Sequence, residues 1–124
     1  IKEMFGETLA MEPLPPKHSR FYFESGKADL LAESQGDLAQ VKSAIDARKS
    51  CDISVIGHAD RVGTNEMNEG ISMQRADAVL NALSNLGVNK NCVDKRYYGE
   101  NDPAVPTADE VPEPRNRRVE VEIR

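Results

Sequence analysis

Apolar positions along this chain change period several times, and each change marks an element. Phe21-Tyr22-Phe23 is an aromatic run closed by Ser25-Gly26, the pattern of a first strand and its turn. Over residues 29–49, Leu30, Leu31, Leu38, Val41 and Ile45 recur with helical spacing and leave one face apolar. Residues 51–57 carry Ile53, Val55 and Ile56 and read as a buried strand, with a turn over 58–63. The spacing then predicts a second helix over 64–86, whose stripe takes in Met67, Ile71, Val79, Leu83 and Leu86. Gly87 suits its left-handed cap, and Gly70 inside it costs about 1 kcal/mol relative to alanine. A third strand is predicted over 93–99. Residues 101–114 hold Pro103, Pro106, Pro112 and Pro114 and form a long loop. Val119, Val121 and Ile123 alternate with Glu120, Glu122 and Arg124, so the last strand buries one face and wets the other.

The order β-α-β-α-β-loop-β implies an α/β two-layer sandwich, one sheet with two main helices on one face. Residues 1–20 read as a leader or linker, because Pro13, Pro15 and Pro16 favour an extended path. Met4, Phe5 and Leu9 are the leader positions suited to docking on the body. The folded domain is expected over 21–124.

At 124 residues there is room for one ordinary core. The net charge of -5 argues against a nucleic-acid partner, since phosphate backbones select basic surfaces. No apolar run approaches the roughly 20 residues of a membrane helix, so no membrane insertion is expected of this segment. A chain that opens on Ile1 with no visible export signal is expected to be part of a longer protein.

Cys51 and Cys92 fit no zinc spacing. Each opens a predicted strand of a βαβ unit, and such strands run parallel and usually lie side by side. Both cysteines then reach one edge. They form either a disulfide or two buried thiols, and the shared edge favours the disulfide. Closing a loop of about 42 residues is worth roughly 4 kcal/mol in the chain-entropy model. A disulfide would imply an oxidising compartment such as the periplasm.

Candidate chemistry gathers after the second strand. Asp60 stands at its carboxyl end, where open α/β sheets place ligands, although turn aspartates commonly just cap backbone N–H groups. Arg75 falls four residues after Ile71, close to the apolar stripe, so its guanidinium needs an anionic partner. That partner is Asp60 in a structural ion pair, or a ligand gripped between them. A carboxylate and a guanidinium on separate elements suit a ligand carrying an ammonium and a carboxylate. Asn68, Ser72 and Arg75 share a helix face at i, i+4 and i+7. Arg117 and Arg118 point to opposite faces of the last strand, so one of them should be solvated. Thr64 suits helix capping better than ligand contact. His58-x-Asp60 invites a metal-hydrolase reading, but a catalytic zinc needs three protein ligands, and the other histidine, His18, lies in the leader. No metal, cofactor or catalytic residue is therefore assigned, and His58 is expected to pack at the strand end and bond neighbouring backbone.

Gly57-His58-Ala59-Asp60-Arg61-Val62-Gly63, then Asn68, Ser72-Met73-Gln74-Arg75-Ala76, and finally Asn116-Arg117-Arg118-Val119-Glu120-Val121, together resemble the OmpA-like domain from about Phe21 to Arg124. That family fixes outer-membrane proteins and lipoproteins to peptidoglycan. The resemblance implies a mixed sheet in the order first, fourth, second, third, with the last strand antiparallel. It implies a non-enzymatic domain in which Asp60 and Arg75 clamp the diaminopimelate of the stem peptide. Asn68 and Arg117 would line the same pocket and hold neighbouring stem carbonyls or carboxylates. Ser25, Gly26 and Thr64 are secondary candidates. Ala59 stands where many members carry threonine. The implied setting is the Gram-negative periplasm, at the outer membrane or cell wall. The competing class is a protein–protein module, a homodimerising domain or envelope adaptor without wall binding; weak self-association is compatible with either.

Overall fold

The computed structural model describes residues 16–124. The elements are β1 (Lys17–Tyr22), α1 (Ser34–Arg48), β2 (Ile53–Gly57), α2 (Asn65–Asn85), β3 (Val93–Tyr97) and β4 (Arg118–Ile123), with short 3-10 turns at Lys90–Cys92 and Pro114–Asn116. The four strands form one mixed sheet in the order β1-β4-β2-β3. β2 and β3 are parallel, and β4 runs antiparallel to both β1 and β2.

The period of two in β4 decides the layers. Val119, Val121 and Ile123 are buried, and their register partners Phe21, Val55 and Ile53 share that face. Leu38, Val41 and Ile45 of α1 and Ala76, Val79 and Leu83 of α2 close over it in one core. The opposite face is a charged ladder: Glu122 lies between His18 and Ser54, and Glu120 lies between Arg20 and Ile56.

β1 begins at Lys17, so residues 17–20, read from sequence as leader, belong to the sheet. Their side chains give no apolar signal: Lys17, His18 and Arg20 are exposed, and backbone pairing to β4 defines the strand. The suggested docking of Met4, Phe5 and Leu9 lies outside the described residues.

α1 starts at Ser34, later than the apolar spacing suggests. Leu30 packs on the core from the preceding loop instead. The Lys27 carbonyl in that loop accepts from the Arg75 side chain. The first half of α2 also departs from expectation. Met67 is 66% exposed and Leu86 46%, whereas the buried positions are Asn68, Ser72, Arg75, Ala76, Val79 and Leu83. The stripe is apolar over the sheet and polar beyond its end, where loop backbone must be satisfied. Gly57, the last residue of β2, lies so close to α2 that a Cβ there would sit 2.0 Å from the Ser72 carbonyl oxygen. Only glycine permits this approach of strand and helix.

Cys51 and Cys92 form a disulfide, with Cα atoms 4.5 Å apart, just before the paired amino ends of β2 and β3. The Asp60 turn follows the carboxyl end of β2. Reduction should therefore lower stability by about 3–4 kcal/mol through loop-closure entropy alone, while leaving the Asp60 turn at the opposite end in place. Urea unfolding with and without reductant checks this; a midpoint that does not move refutes it.

Candidate functional site

A cleft of about 200 Å³ opens beyond the carboxyl end of β2. Its wall includes Asp60, Asn68, Arg75, Ser25 and Gly26, with Val62, Met67 and Ile71 as apolar lining. Met67 thus belongs to the cleft rather than the core.

Arg75 is 1% exposed. Its Nε donates to the Lys27 carbonyl at 2.8 Å, Nη1 to His58 at 3.0 Å and Nη2 to Glu24 at 3.1 Å. The guanidinium also stacks over Phe23, 5.4 Å from the ring centroid. All three acceptors are neutral carbonyls. Burial lowers its pKa to about 10, while Asp60 opposes that shift and Arg117 adds to it. The group stays charged at neutral pH, with two of its five N–H donors beyond those three bonds.

Asp60 is held by other partners. Its Oδ2 accepts from Arg117 Nη1 at 3.0 Å and from the Glu113 amide at 3.3 Å, and Oδ1 accepts from the Val62 amide at 3.4 Å. The ion pair of Asp60 is therefore with Arg117, whose Nε in turn donates to the Phe23 carbonyl at 3.0 Å. An ionised carboxylate has about four acceptor positions, so one remains for a ligand.

Asn68 donates through Nδ2 to Glu100 Oε1 at 2.9 Å. Ser72 Oγ donates to the Glu69 carbonyl and accepts from the Gly99 amide, which joins α2 to the end of β3. Thr64 spends its hydroxyl on the helix, accepting from the Met67 amide at 3.1 Å. The proline-rich loop is pinned to the Asp60 turn. Arg61 donates to Glu100 and to the Thr107 carbonyl, and the Glu110 carboxylate accepts from the Gly63 amide. Glu100 and Glu110 had no sequence signal: a Glu in or beside a proline-rich loop is indistinguishable from a solvated one until the loop folds back.

Arg118 is not solvated, contrary to expectation. It is 4% exposed, paired with Glu120 and bonded to the Asp102 carbonyl. Both arginines are engaged because the loop covers the strand face that Arg118 occupies. His58 is packed as expected, 2% exposed with its ring 5.9 Å from that of Tyr98. Its amide donates to the Arg118 carbonyl at 2.8 Å. The expected backbone bond is thus main chain to main chain, while ring Nδ1 has no partner among the described residues.

A model of the OmpA family matches residues 22–117, and the chain belongs to that family. Its members are structural and binding proteins rather than enzymes. The chain is 32% identical over 120 residues to the peptidoglycan-associated lipoprotein of Pasteurella multocida, covering 94% of this chain and 77% of the relative. It is 31% identical over 115 residues to an outer membrane protein of Gluconacetobacter diazotrophicus, covering 88% of this chain but only 30% of that protein. The peptidoglycan-associated lipoprotein from Burkholderia pseudomallei superposes with a TM-score of 0.77 at 27% identity, over 85% of this chain and 89% of that one.

The His58 imidazole has its pKa lowered from 6.5 to about 4, first by burial and then by the Arg118 charge. Between those values the unfolded chain binds the extra proton, so stability rises with pH across the window and is complete above about 6.5. Acidification from pH 6.5 to 4 should remove up to about 3 kcal/mol through this group. Urea midpoints across that range should fall steeply in the native protein and less steeply in His58→Gln; parallel slopes refute the assignment.

Proposed function

We propose that this domain binds peptidoglycan without catalysis, through the diaminopimelate residue of the stem peptide, and so anchors an envelope protein to the cell wall from the periplasm. The observation that carries this reading is the charge at the cleft. Among the described residues Arg75 is a buried cation bonded only to neutral carbonyls, with donors to spare, and Asp60 lines the same cleft with an acceptor position to spare. An uncross-linked diaminopimelate projects an ammonium and a carboxylate from one carbon. Arg75 would take the carboxylate in a charge-assisted pair, and Asp60 the ammonium. Arg117 would hold Asp60 in place, Asn68 would contact the ligand one side of the clamp, and Ser25 and Gly26 would complete the rim. The names of the lipoprotein relatives agree with this reading.

A ligand of about thirteen heavy atoms at roughly 0.3 kcal/mol per atom gains about 4 kcal/mol, a millimolar dissociation constant. Weak single sites serve an anchor well, because a tethered domain facing a polymer gains by effective concentration.

Asp60→Ala and Arg75→Ala should each abolish co-sedimentation with purified sacculi while circular dichroism still reports a folded domain. Loss of Asp60 strands Arg117 and the ligand ammonium, and loss of Arg75 strands three carbonyls and the ligand carboxylate. Arg75→Lys should fail as well, since one ammonium cannot replace a planar fork held by three carbonyls. Folded Asp60→Ala and Arg75→Ala variants that pellet like the native protein would overturn the clamp.

The same pairing predicts selectivity. Stem peptides carrying diaminopimelate should bind at least about a hundredfold more tightly than those carrying lysine, which lack the distal carboxylate. Equal affinities by titration calorimetry would remove Arg75 from that role.

A further inference from the structure

We propose that Glu100 is a positioning residue that sets the polarity of the cleft by locking the Asn68 amide in one orientation. The inference rests on the ligand reading above and concerns what Asn68 offers to that ligand.

A carboxylate only accepts hydrogen bonds, so the Asn68 atom facing Glu100 must be the Nδ2 donor. The amide is planar, and its oxygen is thereby turned elsewhere. Oδ1 lies on the Gly63 side, 3.9 Å from where a Cβ on that glycine would stand, and both residues line the cleft. Asn68 therefore presents an acceptor to the cleft, beside the Asp60 carboxylate on the adjoining turn. It reads a ligand N–H or ammonium rather than a carbonyl. Arg75, two helical turns further along α2, supplies the donors. The cleft becomes polar in one sense, acceptors at one end and a guanidinium at the other.

Glu100 is itself held for this task. Its two oxygens are divided, Oε1 to Asn68 at 2.9 Å and Oε2 to Arg61 Nε at 3.1 Å, which fixes the rotation of the carboxylate. Arg61 is anchored in turn on the Thr107 carbonyl. Gly99 delivers Glu100 to the helix: its φ is +59°, and a Cβ there would lie 3.1 Å from the Glu69 amide nitrogen. The Gly99 carbonyl also accepts from the Ala59 amide at 2.8 Å, which ties the Glu100 turn to the Asp60 turn. The Glu100 side chain is only 10% exposed, which keeps water from competing for Asn68.

Glu100→Gln keeps the shape but offers Asn68 either an oxygen or a nitrogen, so both amide orientations become available. Two readouts test the lock. In the free native protein, the Asn68 side-chain amide protons followed by NMR should exchange slowly, and in Glu100→Gln much faster; exchange at the free-amide rate in the native protein overturns the proposal. The second readout compares a stem peptide carrying diaminopimelate with one carrying 2-aminopimelate, which keeps the distal carboxylate and lacks the distal ammonium. Glu100→Gln should reduce the native preference for the first peptide about tenfold. Asn68→Ala should reduce it similarly, and the double variant should show no further reduction. Equal weakening of both peptides marks a merely structural role and overturns the proposal, as does an unchanged preference. Failure of the native protein to bind either peptide overturns the ligand reading beneath it, whereas native binding with an unchanged preference in Glu100→Gln overturns the role of Glu100 and leaves that reading standing.

Discussion

A single guanidinium closes one end of this fold. Arg75 gathers the carbonyls of Glu24, Lys27 and His58, which belong to the loops after β1 and β2, and lays its plane over Phe23. Those carbonyls have left regular secondary structure, and buried carbonyls without donors are costly. Arg75 satisfies them from the helix that spans the sheet, so the loops are drawn onto α2 and the wall between them becomes a cleft.

Around that cation the cleft is assembled before any ligand arrives. Asp60 is aimed by Arg117 and by backbone amides, and Asn68 by Glu100. Each polar group that faces the cleft is thus braced by a second group behind it. Such bracing limits the ordering that binding would otherwise require, which matters most for a small ligand with little contact area. The proline-rich loop provides much of it. Asn116, fully buried, bonds both the amide and the carbonyl of Val105 at 2.8 Å, and so holds a segment that has no helix or strand of its own.

The two ends of the sheet carry different duties. The disulfide clasps the amino ends of β2 and β3, and the cleft with the proposed ligand groups lies beyond the carboxyl end of β2. Covalent reinforcement is thereby kept apart from the surface that must accommodate a partner. The sheet face away from the helices is stabilised differently, by pairs such as Arg118–Glu120 and Arg124–Glu122 along β4. The loop covers the Arg118 end of that face, and the charged residues beyond it let the remainder stay wetted instead of apolar.

Periodicity in the sequence determined the layers, because a strand of period two and a helix of period 3.6 can each bury only one face; Val119, Val121 and Ile123 show it. It also determined that Asp60 and Arg75 stand on the elements flanking one strand end, and that Cys51 and Cys92 come to one edge. Tertiary structure alone decided which partners those groups take. Asp60 pairs with Arg117 across the fold, and Arg75 bonds carbonyls rather than the carboxylate expected from sequence. Lys17, His18 and Arg20 became strand only because β4 offered them a ladder. Asn68 and Ser72 became buried, and Met67 exposed, because the sheet stops short of the helix and leaves polar loops there to be satisfied. Local pattern records which face a residue turns inward. It cannot record what that face will meet, since the meeting partner lies tens of residues away and is chosen by the need to pair every buried polar group.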